Sequence, residues 1–326
     1  MAVHGGIDLG GTKIQAIVFD VAAERVLGQA RRPTPQAGGP PAVIDALVAC
    51  VEEAAAGAGT ETEQLAGVGL GSPGEIDAQQ GTVAHAKNLP DWEEPVDVAD
   101  ALAQRLGAPV SVGNDVDVAT WAEFELGAGR DAQSLLGVFW GTGVGGGLVL
   151  DGKPWAGRGS AGEIGHMVVR VNGARCPCGR RGCMEAYAGR RAMEEKARER
   201  IAAGERSVLP KLMKLRGRTT MSSGVWARAL EQDDKLAAEL VERALRALGA
   251  GVASAVNLLD VELVVVGGGL GTRFGQPMVD RIAQAMQPHL FFDERPPDVH
   301  VAALGDLGGA IGAALLSERT RAPAAA

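Results

Sequence analysis

The sequence predicts an α/β protein built from two similar halves that face each other across a ligand-binding cleft. Each half opens with a strand, a glycine-rich turn and a second strand, first near 5–20 and again near 135–150. A third glycine cluster, at 267–269, ends a fully apolar strand. Repetition of this kind changes the fold prediction, because two equivalent turns then lie on opposite walls of one cleft.

Composition restricts the class of protein. With 326 residues, the chain is long enough for two hydrophobic cores. Its net charge is −8 and it has no basic block, so we expect no positive surface of the kind that a nucleic-acid partner requires. No apolar run approaches the ~18 residues of a membrane span, and the first residues lack the features of a signal peptide. We therefore expect a cytoplasmic protein with neither a nucleic-acid nor a membrane partner.

The order of elements follows from apolar alternation in strands and from helical spacing. In the first half we expect Gly5–Leu9, Ile14–Asp20, Arg25–Arg31, a helix with Val43, Leu47, Val48 and Val51 on one face, Gly67–Ser72, a helix near Asp97–Leu106, and Val110–Gly113. In the second half we expect strands at Leu135–Trp140, Gly146–Leu150 and Val261–Val266, and helices near Glu185–Ala203 and Lys235–Leu258.

The first glycine loop, Asp8-Leu-Gly10-Gly11-Thr12-Lys13, follows a strand and runs directly into another. It is not a Walker loop, which has a different spacing and precedes a helix. Adjacent glycines nevertheless let backbone N–H groups form an anion nest, to which Thr12 adds a hydroxyl and Lys13 a charge. Asp8 is then suited to hold Mg²⁺ beside bound phosphates. The alternative is an ordinary hairpin turn with a capping aspartate.

The second loop contains Gly141, Thr142 and Gly143 and satisfies the Gly-x-Gly-x-x-Gly pattern. A dinucleotide fold requires a helix after that pattern, whereas a strand and a turn follow here. A second phosphate-binding hairpin fits better than a nicotinamide site.

The third cluster, Gly267-Gly268-Gly269, lies where a ligand commonly binds beyond the carboxyl end of a buried strand. Three glycines allow a flat base and its ribose to lie against the backbone. The alternative is a tight turn from strand to helix.

Three thiols within eight residues indicate a metal site. Cys176, Cys178 and Cys183 are separated by Pro and Gly, and His166 is the nearest fourth donor. Because a reducing compartment disfavours disulfides, we predict a closed, structural Zn²⁺ site of tetrahedral geometry. The alternative is three reduced cysteines in a turn, and Cys50 is expected in the core.

Taken together, these motifs resemble the ROK family of sugar kinases. The matching segments occur in the family's order: Asp8–Lys13, Gly71-Ser-Pro-Gly74, Asn88-Leu, Gly113-Asn-Asp115, Gly141–Gly147, Glu163-Ile-Gly-His166, the cysteine motif through Glu185, Val266–Gly269 and the closing stretch Leu304–Ala314. The cysteine motif is the most specific segment, and no single glycine loop is sufficient.

The resemblance implies a two-lobed, actin-like (RNase H-like) kinase fold with ATP and sugar bound between the lobes. It implies a small domain at 1–115 together with a C-terminal helix at about 306–320, and a large domain at 116–305 that carries the zinc motif. Asp115 corresponds to the general base. The residues matching positions that hydrogen-bond sugar hydroxyls are Asn88, Asn114, Glu163, His166 and Glu185. The family commonly forms homodimers or homotetramers.

The expected reaction is ATP-dependent, Mg²⁺-dependent phosphorylation of the 6-hydroxyl of a hexose. Glucose is the leading substrate, with N-acetylglucosamine, N-acetylmannosamine, mannose and fructose as competitors and polyphosphate as another conceivable donor. Asp117 departs from the asparagine of many relatives, either as a helix cap or as a group that shifts hydroxyl preference. A sugar-responsive regulator is disfavoured. Regulators of this family usually carry a helix-turn-helix segment before the first glycine loop, and in this sequence that loop begins at residue 8. A non-catalytic sugar-binding protein has little reason to keep Asp115.

Overall fold

The computed structural model describes residues 2–215 and 217–321. The strands are β1 (Val3–Leu9), β2 (Lys13–Asp20), β3 (Arg25–Pro33), β4 (Gly67–Ser72), β5 (Glu75–Asp77), β6 (Thr82–Ala84), β7 (Val96–Asp97), β8 (Val110–Asn114), β9 (Leu135–Trp140), β10 (Val144–Leu150), β11 (Lys153–Pro154), β12 (Leu263–Gly267) and β13 (Asp298–Val301). The α-helices are α1 (Gly39–Ala58), α2 (Val98–Leu106), α3 (Asp115–Leu126), α4 (Glu185–Ala188), α5 (Arg190–Ala202), α6 (Leu209–Leu215), α7 (Ser223–Leu230), α8 (Lys235–Leu259), α9 (Gly268–Phe274), α10 (Gln276–Met286) and α11 (Gly308–Arg321).

The chain divides into two compact units. The first contains the chain up to Arg130, the short segment Ala156–Ala161 and the chain from Ala303 onward. The second contains Asp131–Trp155 and Gly162–Ala302. Helix α3 lies in the first unit because it packs on α11. The domain limits at 115 and 306 inferred from the sequence remain a prediction.

The first unit is a five-stranded sheet, in the order β3-β2-β1-β4-β8, covered on both faces. Side chains alternate along β2, so Ile14, Ala16 and Val18 join one core with α1 and α2. Ile17 and Phe19 point to the opposite face, into a second core with α3 and α11. Because both faces are buried, β2 has no polar alternation and reads as a nearly continuous apolar run.

Glycine allows α11 to lie directly on this sheet. A Cβ atom at Gly6 or Gly69 would collide with the backbone carbonyls of Ala310 or Ala313. This close approach brings the start of α11 against Asp8, since a Cβ at Gly309 would lie 2.8 Å from its carboxyl carbon. Part of the glycine content is therefore used in packing rather than in ligand binding.

The second unit repeats the topology of the first. Its sheet has the order β11-β10-β9-β12-β13, with a β9–β10 antiparallel pair and two parallel pairs, β9–β12 and β12–β13. The first unit has the same antiparallel pair, β1–β2, and the same two parallel pairs, β1–β4 and β4–β8. The duplication predicted from the two glycine turns is confirmed.

One predicted helix is interrupted. The stretch expected as a single helix at Glu185–Ala203 is broken at Gly189, whose backbone is extended (φ −56°, ψ 133°) between α4 and α5. The break has a structural reason, because the first two amides of α5 then donate to the carbonyls of Gly141 and Thr142. In the described part of the chain, no helix is both long enough and apolar enough to cross a membrane.

Candidate active site

In the turn between β1 and β2 the carbonyl groups accept hydrogen bonds, whereas two N–H groups, called open amides below, have no acceptor among the described residues. The carbonyl oxygens of Gly10, Gly11 and Thr12 accept hydrogen bonds from Thr34 and Gln36. Within residues 2–215 and 217–321, the N–H groups of Gly11 and Thr12 have no acceptor. Adjacent amides without acceptors can bind anions, so the first hairpin is suited to an anionic group.

Two carboxylates lie at the edge of the sheet where this hairpin begins. The strands β1, β4 and β8 are parallel, and their carboxyl ends meet with Asp8 paired to Gly71 and Gly71 to Gly113. The chain continues from Gly113 through Asn114 to Asp115, the first residue of α3. The absence of a side chain at Gly71 lets Asp115 approach, since a Cβ there would lie 3.4 Å from the Cα of Asp115.

Burial dominates the electrostatics of this carboxylate pair. Desolvation, reinforced by the negative charges of Asp8 and Asp117, raises the pKa of Asp115 to about 7. Burial also raises the pKa of Asp8, and the positive charge of Lys13 opposes that shift. A carboxyl group that titrates near neutral pH is suited to accept a proton in catalysis.

The two asparagines predicted to bind sugar have different surroundings. The Asn114 side chain caps α3, because its Oδ1 accepts from the N–H groups of Val116 and Asp117 at 2.9 and 3.3 Å. Its amide nitrogen is therefore the atom left to meet a ligand. Asn88 is exposed and lies on the first hairpin, where a Cβ at Gly11 would lie 2.8 Å from its carbonyl oxygen.

The turn between β9 and β10 repeats the pattern of the first hairpin. The carbonyls of Gly141 and Thr142 accept from the first amides of α5, and that of Gly143 accepts from Gly141. The N–H groups of Thr142 and Gly143 have no acceptor in the part of the chain that the structure describes. Sequence motifs alone do not reveal this division between bound carbonyls and open amides.

The third glycine cluster lies against the second hairpin. β12 pairs with β9, and a Cβ at Gly141 would lie 3.7 Å from the nitrogen of Gly269. Gly267 ends β12, and Gly268 begins α9 with a left-handed φ of 78°, close under the backbone of Trp140. The cluster is a tight strand-to-helix turn, and it borders the open amides.

The four predicted metal donors converge. One donor atom from each of His166, Cys176, Cys178 and Cys183 lies within 4.8 Å of all the others. The Cys178 and Cys183 sulfurs are 3.7 Å apart, and the Cys176 sulfur is 3.8 Å from His166 Nδ1. Tetrahedral zinc with Zn–S bonds of about 2.3 Å requires sulfurs about 3.8 Å apart, so this donor set fits the ion.

His166 points its two ring nitrogens in different directions. Nδ1 faces the cysteines, whereas Nε2 lies 3.9 Å from a carboxylate oxygen of Glu163. A ring that gives one nitrogen to a metal can offer the other to a ligand. Glu163 is more than half exposed, so the pair has access to solvent.

Glu185 links the cysteine cluster to the second hairpin. Its Oε2 accepts from the N–H of Val144 at 2.9 Å, and its Oε1 lies 3.9 Å from the sulfur of Cys176. A Cβ at Gly143 would collide with the same carboxylate. The resemblance to the ROK family implies that Glu185 binds sugar, which stays a prediction, and the structure adds a positioning contact between elements 41 residues apart.

A buried carboxylate that the sequence analysis missed organises the far end of α3. Glu123 is 2% exposed and accepts hydrogen bonds from the N–H groups of Ala128, Ala303 and Leu304. These bonds fix the segment leading to Asp306, whose carboxylate lies 3.9 Å from Lys13 Nζ. An acidic residue within an apolar helical stretch was the available signal.

The family model that matches the sequence, over residues 4–320, is described as the ROK family. This chain belongs to the ROK family. A glucokinase from Streptomyces coelicolor is 34% identical, with 97% of this chain and 98% of the relative covered. An N-acetyl-D-glucosamine kinase from Salmonella typhimurium is 33% identical, with coverage of 96% and 99%.

A solved structure supports the same assignment. The crystal structure of a ROK family glucokinase from Streptomyces griseus, in complex with glucose and AMPPNP, is 34% identical and matches with a TM-score of 0.83. The match covers 98% of this chain and 100% of the chain in that crystal structure. The predicted family and the predicted actin-like α/β sugar kinase fold are confirmed.

Asp117, which lies with Asp115 in the first turn of α3, gives a prediction about pH. Its negative charge raises the pKa of Asp115, so removing it makes Asp115 easier to ionise. Because a general base must be ionised, activity rises with pH through the pKa of that base. We expect Asp117→Asn to move the acid limb of kcat/KM to lower pH, measured from about pH 5 to about pH 9. Asp117→Glu, which keeps the charge, is the control, and an acid limb that stays in place in Asp117→Asn contradicts the prediction.

Proposed function

We propose that this ROK protein is an ATP-dependent hexose kinase that phosphorylates the 6-hydroxyl of glucose. One observation carries the proposal. A partly buried carboxyl group with a pKa of about 7 lies at the same sheet edge as a hairpin with open amides. Phosphoryl transfer requires this combination, a group that accepts the hydroxyl proton and donors that hold the phosphates.

Asp115 is proposed to accept the proton of the 6-hydroxyl as that oxygen attacks the γ-phosphorus of ATP. Its Oδ1 accepts from the N–H of Val116 at 2.9 Å, which fixes the carboxyl group at the start of α3. A positioned base of this kind contributes about 10²–10⁴-fold to rate. The bond to the β-phosphate oxygen breaks as the new P–O bond forms, and ADP leaves.

The open amides of each hairpin are proposed to bind phosphate groups of the nucleotide. Backbone donors of fixed direction stabilise charge on phosphate oxygens without reorganising during the reaction. Asp8 would hold Mg²⁺, which when bound neutralises charge on the phosphates. Lys13 adds a positive charge at the first hairpin.

The Cys3His cluster is proposed to be a structural zinc site held by His166, Cys176, Cys178 and Cys183. The bound ion would fix the tautomer and orientation of the His166 ring. His166 Nε2 and Glu163 are then proposed to bind sugar hydroxyls, together with Asn88 and the amide nitrogen of Asn114. Glu185 holds the second hairpin through Val144 and is proposed to share in the same contacts.

Glucose is the proposed sugar because glucokinases are among the similar proteins at 31–34% identity. The alternative, an N-acetylhexosamine, is supported by the N-acetyl-D-glucosamine kinase at 33% identity. An acetyl group is accepted or rejected by pocket shape, so the two functions require measurement. We further propose cytoplasmic activity, where ATP and reduced thiols are available, by a homodimer or homotetramer.

The test is coupled ADP release with Mg²⁺–ATP across glucose, mannose, fructose, N-acetylglucosamine and N-acetylmannosamine. We expect the highest kcat/KM with glucose, a kcat of about 1–100 s⁻¹, and glucose 6-phosphate as the product. Glucose lacking the 6-hydroxyl is the matched negative control, and polyphosphate replaces ATP in a parallel series. A higher kcat/KM for an N-acetylhexosamine transfers the assignment to that sugar, and ADP release that no sugar stimulates rejects the kinase proposal.

A further inference from the structure

We propose that Arg190 contacts the phosphates of the bound nucleotide and supplies the positive charge that the second hairpin lacks. The inference rests on the proposed function, because it assigns a nucleoside triphosphate to this hairpin. Residues 141–144 contain no cation, whereas the first hairpin runs directly into Lys13. Two open amides offer partial charges, and a full positive charge strengthens hydrogen bonds to phosphate.

The structure holds the Arg190 guanidinium beside the hairpin. Nη2 donates to Thr142 Oγ1 at 2.8 Å, and Nη1 donates to the carbonyl of Met221 at 3.2 Å. The guanidinium carries further N–H donors in a planar fork, and these remain for a ligand. The side chain is partly buried, so its position is set by packing as well as by hydrogen bonds.

Arg190 is a cation without a carboxylate partner. In residues 2–215 and 217–321, no carboxylate oxygen lies within 4.0 Å of its guanidinium. The carboxylate one turn along α5, Glu194, is occupied by Arg198 and by the N–H of Met221. Partial burial lowers the pKa of Arg190, against the influence of Glu194. A cation held partly out of water without a counter-charge is suited to an anionic ligand.

The guanidinium, rather than the end of the helix, is the group that α5 can offer to an anion. The N–H groups of Arg190 and Arg191 donate to the carbonyls of Gly141 and Thr142 at 3.0 and 3.1 Å. These helix-terminal donors are therefore already used. They also lock α5 to the hairpin, so the guanidinium and the open amides stay in fixed register.

The experiment compares Arg190→Met with Arg191→Ala. Arg191 is the adjacent residue, and its exposed side chain pairs with Glu195 at 3.3 Å, so its truncation keeps the backbone bonds of α5. Calorimetry with ATP, ADP and adenosine measures affinity without turnover. We expect Arg190→Met to lower the affinity for ATP by about 10–100-fold and the affinity for ADP by less. The affinity for adenosine should be unchanged within error. The KM for glucose and the affinities of Arg191→Ala should stay within about twofold of wild type, the change expected of an exposed pair.

Two further measurements separate a phosphate contact from a structural role. The dependence of ATP affinity on salt should become shallower in Arg190→Met, because one charge contact is lost. Arg190→Lys, which keeps the charge, should recover part of the affinity. Equal loss for ATP and adenosine, or an unchanged salt dependence, overturns the inference. Failure of this inference can be distinguished from failure of the proposed function. If the wild type phosphorylates glucose and Arg190→Met binds ATP as tightly as the wild type, only the Arg190 contact is refuted.

Discussion

Asp115→Asn is expected to lower kcat by about 10²–10⁴-fold and to leave the affinity for glucose nearly unchanged. Asparagine has the shape of aspartate. It keeps a side-chain oxygen that can accept the hydrogen bond that the N–H of Val116 donates to Asp115 Oδ1. It cannot take the proton of the sugar hydroxyl. Steady-state kinetics with glucose and Mg²⁺–ATP measure kcat, and calorimetry measures glucose binding.

Asp117→Asn is the matched control for this loss, because it removes a carboxylate from the same first turn of α3. It should keep kcat within about tenfold of wild type at a pH above the acid limb. If Asp115→Asn retains wild-type turnover, Asp115 is not the base. If it loses glucose binding in proportion to kcat, its role is in binding rather than in proton transfer.

Asp115→Asn is also expected to stabilise the protein at alkaline pH. The pKa of Asp115 is raised from 3.8 to about 7 in the folded state, so between these values the folded protein binds more protons than the unfolded chain. Stability therefore falls as pH rises through this window. Asp115→Asn removes that dependence, and its Tm should exceed that of wild type more at about pH 8 than at about pH 4. A Tm difference that does not grow with pH contradicts the raised pKa.

Local pattern was sufficient to predict the longer strands, β1–β4, β8–β10 and β12, and both hairpins, but not the short strands β5–β7, β11 and β13. It also selected the four side chains that the structure brings together as candidate metal donors. Each hairpin is a continuous segment, and Cys176, Cys178 and Cys183 lie within one loop. The apolar run along β2 and the glycines that precede it can be recognised without knowledge of distant residues. The repeat of strand, turn and strand predicted an internal duplication, which the matching strand orders of the two sheets confirm.

What the sequence could not provide is contact between distant segments. Glu185 reaches the amide of Val144, and Glu123 reaches Ala303 across 180 positions. The break at Gly189 was also missed, because glutamate and alanine on both sides of it, and arginine after it, favour a continuous helix. Packing of α5 against the second hairpin overrides that propensity, and the break is what places Arg190 beside Thr142.

Glycine had two uses that composition alone could not separate. Gly11 and Gly143 lie in hairpins with open amides, whereas Gly6 and Gly69 let α11 rest on the sheet. Both uses require the absence of a Cβ atom, so both appear as glycine after apolar residues. The difference lies in what approaches the backbone, Asn88 and Glu185 at the two hairpins and a helix at the sheet.

Loss of zinc is expected to be the most damaging change to sugar recognition. Cys178→Ser removes one donor of the Cys3His cluster at its most exposed cysteine, so the serine adds less buried polarity than it would at Cys176 or Cys183. Elemental analysis should find close to one zinc per chain in wild type and almost none in the variant. Since the ion would orient His166, we expect the KM for glucose to rise about 10–100-fold.

Zinc affinity should also depend on pH. Burial raises the pKa of the Cys176 thiol to about 12 in the metal-free protein, and coordination requires the thiolate. Binding therefore releases a proton, and affinity should fall as pH is lowered, which a competitive chelator titration measures.

Cys50→Ala is the matched control for the zinc prediction, because Cys50 is a buried thiol on α1, in the other unit of the chain. It should keep both zinc and the wild-type KM for glucose. ATP affinity separates local from global damage in Cys178→Ser, since the hydrogen bonds that hold the first hairpin involve no residue of the cysteine loop. A zinc-free Cys178→Ser protein with an unchanged KM for glucose would show that His166 is oriented by the loop itself, and the link between metal and sugar would fail.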